Sequence, residues 1–95
     1  MAAIGVLLLE LRIEQSHSLK DKRNVLQSLK TRLRSRFNVA VAEIDHQETW
    51  QRSVVAAVTV SSAREHAATV LESVEREAAG LLAGQLCGSS IEWIE

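Results

Sequence analysis

Proline is absent from this chain of 95 residues, and cysteine occurs once, at Cys87. A single cysteine forms no internal disulfide and supplies no cysteine-based zinc or iron–sulfur site, so the sequence favours a reducing, cytoplasmic setting. No proline-rich or low-complexity stretch divides the chain. We therefore expect one domain that spans residues 1–95.

Aromatic residues are scarce, because Phe37, Trp50 and Trp93 are the complete set of Phe, Trp and Tyr. A site that stacks successive bases of a single-stranded nucleic acid needs several exposed rings, so this scarcity counts against one. The apolar stretch near the start, residues 4–9, ends at Glu10 and is far shorter than the roughly 20 residues of a membrane helix. We interpret it as a strand and expect no membrane association.

The spacing of apolar residues predicts four strands and two helices. Every second residue from Leu7 to Ile13 is apolar, which is the period of a strand covering a core. Leu26, Leu29 and Leu33 repeat at helical spacing instead. The predicted elements are a strand over residues 4–13, a helix over about 19–35 capped by Ser18, strands over 38–45 and 50–60, a helix that starts in an S-x-x-E capping box at Ser62 and ends at Gly80 or Gly84, and a short strand over 90–94.

This βαββαβ order predicts an α+β ferredoxin-like sandwich, a four-stranded antiparallel sheet of order 4-1-3-2 with both helices on one face. Val6 and Leu8, together with Val55 and Ala57, are expected on the face away from the helices. Such an apolar patch usually marks an interface, so we expect a homodimer formed through the open face or through edge pairing of residues 39–42. The alternative is a monomer with a somewhat apolar outer face.

The same topology brings the polar residues of two connections to one edge of the sheet. The residues expected to meet there are His17, Lys20, Lys22, Arg23, Asp45, His46, Gln47 and Arg52. Cations beside the free amides of a helix N-terminus favour an anion such as a phosphate, a nucleotide or an RNA backbone. The alternative is a solvated helix face whose cations pair with Asp45 across the surface.

Charge is unevenly distributed, although the formal net charge is −1. Residues 15–40 contain seven cations and a single acid, Asp21, whereas residues 61–95 contain two cations and six acids. The seven cations are Lys20, Lys22, Arg23, Lys30, Arg32, Arg34 and Arg36. They predict either a basic surface along helix one that meets phosphates, or an attraction between the two helices across their seam.

No catalytic residue, metal site or cofactor is predicted. His17, His46 and His66 fall on separate elements, without the spacing that holds a metal ion. Residues 13–17, between the first strand and the first helix, contain no glycine. This segment therefore differs from the glycine-rich phosphate loop of the acylphosphatases, which share the predicted fold.

Three linked motifs lie in residues 17–23 (HSLKDKR), in residues 36–43 (RFNVAVAE), and in residues 45–47 with 50–52 (DHQ and WQR). They resemble the YlxP-like family of small bacterial proteins, a domain family of unknown function, over roughly residues 4–75 in order and spacing. The resemblance implies a ferredoxin-like fold and a bacterial cytosolic protein. Family members are often encoded beside transcription-termination, translation-initiation and ribosome-maturation factors, which implies a role near the ribosome. The resemblance implies no catalytic residues.

The predicted function is that of a non-enzymatic binding module that contacts RNA or a ribosomal partner through helix one and the adjoining edge. The candidate contacts are His17, Lys20, Lys22, Arg23, Lys30, Arg32, Arg34, Arg36, His46 and Arg52. The alternatives are a dimeric small-molecule sensor and a small phosphate-handling enzyme of the acylphosphatase kind, both of which rest on fold analogy.

Overall fold

A computed structural model describes residues 1–94 of the chain. The elements are β1 (Ala3–Arg12), α1 (Leu19–Arg36), β2 (Ala40–Asp45), β3 (Arg52–Ser61), α2 (Arg64–Leu82) and β4 (Leu86–Ile94), with a 3₁₀ turn at Ala83–Gln85. The strands form one antiparallel sheet in the order β2-β3-β1-β4, which is the predicted order counted from the opposite edge. Both helices pack on one face of this sheet, so the predicted ferredoxin-like sandwich is confirmed.

An aliphatic core fills the space between the sheet and the helices. Leu7, Leu9 and Leu11 of β1 are at most 2% exposed, as the alternating pattern predicts. They belong to one cluster with Leu29 of α1 and Leu71 of α2. The odd-numbered residues of β1 therefore mark the side of the sheet that faces the helices, and the even-numbered residues mark the outer side.

The prediction that Val55 and Ala57 lie on the outer face is wrong, because both are fully buried in the core. The register pairs Leu9 with Val55 and Leu7 with Ala57. Directly opposite residues of an antiparallel pair share a face of the sheet. Val55 and Ala57 alternate with Val54, Ala56 and Val58, so both alternating sets of β3 contain apolar residues, and composition alone does not determine which set points inward.

The two helices begin differently. The Ser18 hydroxyl of the α1 cap accepts a hydrogen bond from the Asp21 amide at 3.0 Å, and the Asp21 carboxylate accepts one from the His17 amide at 3.0 Å. This predicted cap is confirmed. The capping box predicted at Ser62 is wrong, because the α2 cap is Ala63 and makes no side-chain cap hydrogen bond.

The C-terminal part of the chain also departs from the sequence prediction. Gly80 lies inside α2, which ends at Leu82, between the two predicted ends. Strand β4 begins at Leu86 and so is longer than the predicted strand over residues 90–94. Its first half contains Gly88 and two serines, residues with weak strand preference, and backbone pairing with β1 extends the strand through them.

Lys22, near the start of α1, is buried, with 1% of its surface exposed. Its ammonium group lies 2.8 Å from a carboxylate oxygen of Glu43 on β2, and donates to the carbonyl oxygens of His46 at 2.5 Å and Thr49 at 2.7 Å. Glu43 accepts a further hydrogen bond from the Ser53 hydroxyl on β3, at 2.6 Å. We call this group of five residues the Lys22 cage. It joins the start of α1 to the turn between β2 and β3.

The expectation that Lys22 is a surface cation is therefore wrong. Lys22 precedes Leu26 by four residues and lies on the buried face of α1, together with Leu29 and Leu33. A lysine at a core position of a helix needs internal acceptors, because an unpaired buried charge is strongly unfavourable. An ammonium group has three protons to donate, and the cage supplies an acceptor for each of them.

Two glycines provide a matched test of the packing between α2 and the sheet. A Cβ atom at Gly5 lies 2.7 Å from Leu71 Cδ1 and 2.9 Å from Trp93 Cζ3, whereas one at Gly80 meets nothing within 4 Å. We expect Gly5→Ala to lower the free energy of unfolding by about 1–3 kcal/mol through overpacking. Gly80→Ala, in a helix interior, should raise it by about 0.5–1 kcal/mol. Urea unfolding of both variants measures the difference, and an equal effect at the two positions contradicts this packing.

The Lys22 cage predicts a large stability loss from one substitution. Lys22→Met leaves the Glu43 carboxylate, whose side chain is 16% exposed, without its cation, and two carbonyl groups lose a donor. We expect the free energy of unfolding to fall by about 3 kcal/mol. The control Lys20→Met removes an exposed cation from the same helix turn and should change it by less than about 0.5 kcal/mol.

A second variant separates loss of the cage from simple misfolding. Lys22→Met combined with Glu43→Leu removes both charges, and we expect it to recover part of the stability lost by Lys22→Met alone. Urea unfolding measures all three variants. Equal stability of Lys22→Met and Lys20→Met contradicts the cage.

Candidate functional site

The loop between β1 and α1 and the turn between β2 and β3 meet at one edge of the sheet, as the topology predicts. The Gln51 side chain donates hydrogen bonds to the carbonyl oxygens of Glu14 and Ser16, at 3.1 Å each. The Gln51 carbonyl accepts one from the Ile13 amide at 2.9 Å. Together with the Lys22 cage, Gln51 holds both connections against each other and against the start of α1.

The β2–β3 turn is closed by its own polar groups. Asp45 accepts a hydrogen bond from the His46 amide at 2.7 Å, and the His46 carbonyl accepts one from Thr49 at 3.0 Å. His46 has a φ of 62°, a left-handed conformation that is uncommon outside glycine. The Asp45 carboxylate therefore stabilises the turn. One interpretation of the sequence expected it to pair with a cation of α1, but no ion pair within residues 1–94 includes Asp45.

Trp50 lies between the two anchored residues of this turn. The Thr49 carbonyl bonds to Lys22, and Gln51 bonds to the β1–α1 loop, so the backbone on both sides of Trp50 is held in place. The Trp50 side chain is nevertheless 52% exposed. An exposed indole on an anchored backbone is a typical contact residue for a partner, because little ordering is needed on binding. The sequence contains Trp50 but carries no signal of its exposure.

Three amides before and within the first turn of α1 take part in internal hydrogen bonds. Ser16 donates its amide to the Ile13 carbonyl at 3.1 Å, and His17 donates to the Asp21 carboxylate at 3.0 Å. The Asp21 amide donates to Ser18. A phosphate-binding loop directs its backbone amides at the ligand. These three amides bond within the protein instead, so they fix the start of the helix.

The cations of α1 separate onto two flanks of the helix. Arg32 and Arg36 lie on the flank toward α2, where their guanidinium groups approach the same Glu77 carboxylate oxygen at 3.2 and 3.5 Å. These are exposed pairs and contribute about 0–1 kcal/mol each. The predicted attraction across the helix seam is therefore present, but it accounts for two of the seven cations.

The opposite flank carries four cations with spacing that keeps them on one side of the helix. They are Lys20, Arg23, Lys30 and Arg34, and we call them the cationic stripe. Lys20 and Arg34 are fourteen residues apart, so at about 1.5 Å per residue the stripe is about 21 Å long. Arg34 donates to the Val41 carbonyl at 3.1 Å, so the far end of the stripe lies against β2. Among the ion pairs within residues 1–94, none includes a member of the stripe.

The ten predicted contact residues therefore do not form a single surface. Lys22 is inside, and Arg32 and Arg36 are on the α2 flank. Arg52 is exposed on the outer side of the sheet, directly opposite Arg12 of β1. The remaining members lie along α1 or at its edge: His17, Lys20, Arg23, Lys30, Arg34 and His46.

The structure describes residues 1–94. Within that range no three or more His, Cys, Asp and Glu side chains come together in a way that suits a metal ion. Neither helix of the described chain has the length and apolar character needed to cross a bilayer.

Solved structures share the fold at low sequence identity. The de novo designed protein Foldit4 is 11% identical with a TM-score of 0.60, covering 100% of this chain and 98% of that chain. A dinuclear metal-binding peptidase of the M20 family from Bacillus subtilis is 14% identical with a TM-score of 0.60, over 99% of this chain but 26% of that one. A dimeric ferredoxin-like protein of unknown function from Thermobifida fusca is 12% identical with a TM-score of 0.50, over 96% and 90% of the two chains.

Sequence comparison identifies relatives directly. The uncharacterized protein YlxP of Bacillus subtilis is 44% identical over 61 residues, and the match covers 64% of this chain and 66%, just under two thirds, of that protein. Residues 4–87 match the family described as "Protein of unknown function (DUF503)". Because this match spans most of the described domain and the predicted motifs, the chain belongs to the DUF503 family of YlxP-like proteins.

Proposed function

We propose that the protein is a non-enzymatic binding module whose cationic stripe binds the phosphate backbone of RNA. The observation that carries this proposal is the separation of the α1 cations, in which Arg32 and Arg36 face Glu77 while the stripe has no acidic partner among residues 1–94. Clustered cations on one helix face are the electrostatic footprint of a nucleic-acid-binding surface. The ribosomal setting implied by the family resemblance supports RNA as the polyanion.

The other polar groups at this edge support binding rather than catalysis. The Asp21 carboxylate and the Lys22 ammonium both hold the fold through hydrogen bonds to the backbone. Trp50 adds an exposed aromatic ring at this edge. Its neighbour Thr49 is held near the start of the stripe, because the Thr49 carbonyl accepts a hydrogen bond from the Lys22 ammonium at 2.7 Å. An RNA strand that follows the stripe to this end meets one aromatic face, enough for a single unpaired base. The dimeric sensor and the phosphate-handling enzyme stay predictions.

The stripe predicts a salt-dependent affinity that two matched double variants separate. Arg23→Ala with Lys30→Ala removes two stripe cations, and we expect the affinity for poly(U) near 0.1 M salt to fall by about tenfold or more. The slope of log affinity against log salt should be about −3 for the native protein and shallower by about 1 to 2 in this variant. Fluorescence anisotropy over a KCl series measures both quantities.

The control for this experiment lies on the same helix. Arg32→Ala with Arg36→Ala removes the same charge from the flank that faces Glu77, and we expect the salt slope to stay unchanged. Co-sedimentation with ribosomal subunits should rank the three proteins in the same order. Equal losses in the two double variants, or no binding by the native protein, contradict the proposed function.

Trp50 serves as an intrinsic probe of the bound strand. Trp93→Phe leaves Trp50 as the single tryptophan, and we expect poly(U) to quench its fluorescence. Trp50→Ala should weaken binding at least about fivefold while leaving the salt slope unchanged, because stacking releases no counterions. Strong salt-dependent binding without quenching confines the RNA to the stripe and removes Trp50 from the interface.

A further inference from the structure

The outer side of the sheet, which faces away from both helices, is apolar across three strands. We call it the outer sheet face, and its centre consists of Val6, Leu8, Ala42, Val54, Ala56 and Val58. These residues alternate with the core residues of the same strands, so they point away from the helices. In the register, Leu8 lies opposite Ala56, which lies opposite Ala42. The face is therefore a contiguous patch rather than scattered residues.

The patch continues to one end of the sheet. Ile4 of β1 lies opposite both Val60 of β3 and Ile94 of β4. Val60 and Ile94 are each 55% exposed, among the most exposed large apolar residues of the domain. Three neighbouring strands thus present a row of β-branched side chains to the solvent. Such a row is costly to leave in water, since about 25 cal/mol is gained for each Å² of apolar surface that is covered.

Charged side chains lie around this patch rather than at its centre. At the other end of the sheet, Arg12 lies directly opposite Arg52. This pair is the next one on the outer face after Glu10 and Val54. On the edge strand β4, Glu92 lies opposite Val6. An apolar centre with a charged rim is the usual anatomy of a protein–protein interface.

The edge of β2 is poorly suited to strand pairing with a second copy. The Arg34 guanidinium already donates to the Val41 carbonyl at 3.1 Å, which occupies an acceptor that an incoming strand needs. Charged groups placed on an edge strand are a common protection against pairing. Of the two dimer geometries predicted from the sequence, the structure favours the outer sheet face.

The area of the face is close to that of a small dimer interface. The 35 residues of the four strands, at about 3.3 Å along each strand and about 4.8 Å between strands, give the whole face a footprint of about 550 Å². The domain has a total accessible surface of 5769 Å², so this footprint is about a tenth of it. Standard interfaces bury about 800 Å² per partner, again about a tenth of a small protein's surface.

We propose that the occupant of the outer sheet face is a second copy of this chain, in a two-fold homodimer that stacks the two sheets. One self-complementary patch meets its own copy across a two-fold axis, and no second type of surface is needed. Stacked sheets lie about 10 Å apart, with side chains of both faces interdigitated. The helices and both cationic stripes remain on the outside of this dimer.

Light scattering coupled to size exclusion tests the proposal on the full chain. We expect the native protein to have about twice the monomer mass of 10.5 kDa at micromolar concentrations. Val58→Lys at the centre of the face should raise the dimer dissociation constant at least tenfold, with a native circular dichroism spectrum. Ala79→Lys, at an exposed position of α2, makes a matched change on the helix side and should leave the dimer intact.

Ala42→Lys protects the test against misfolding, because Ala42 is exposed on the outer face and tolerates a longer side chain in the monomer. We expect it to weaken the dimer as well. A native protein that is monomeric at high concentration overturns the proposal. A dimer that persists in Ala42→Lys, or that is lost in Ala79→Lys, places the interface elsewhere and also overturns it.

Discussion

The Lys22 ammonium group is the interaction on which the arrangement of the proposed binding edge depends. It donates all three of its protons inside the domain, to Glu43 and to the carbonyl oxygens of His46 and Thr49. A buried ion pair adds little net stability compared with well-packed apolar residues, but losing one partner is strongly destabilising. We infer that the cage fixes geometry, because it holds the start of α1 against the β2–β3 turn, from which Trp50 projects.

With Lys22 used internally, the remaining cations of α1 divide between two surfaces. Arg32 and Arg36 face the acidic helix α2 at Glu77, and this seam joins the helices. The cationic stripe faces away from α2, beside the edge strand β2, where Arg34 bonds to a strand carbonyl. The outer sheet face is the third surface and is apolar. The cationic stripe and the apolar centre of the outer sheet face therefore lie on different sides of the domain.

The sequence predicts the fold well because strand β1 and both helices carry clear periodicity and α1 has a strong cap. It misplaces Val55 and Ala57 because apolar residues occur on both sides of β3, so only the register with β1 decides which side is buried. It also treats Lys22 as a surface charge, although a spacing of four residues before Leu26 puts it on the buried face. The acceptors that make this burial possible come from the chain about 20 to 30 residues later, which a local pattern does not reveal.

In the proposed complex, RNA lies along one flank of α1 and past the adjoining turn. The most direct measurement is an NMR titration of the isotope-labelled protein with a short single-stranded RNA, observing backbone amides and arginine side chains. We expect the largest chemical-shift changes at the cationic stripe and in residues 46–51, with little change at Arg32, Arg36 or the outer sheet face. Changes confined to the outer sheet face or to the α2 flank, or no change at all, contradict the proposed complex.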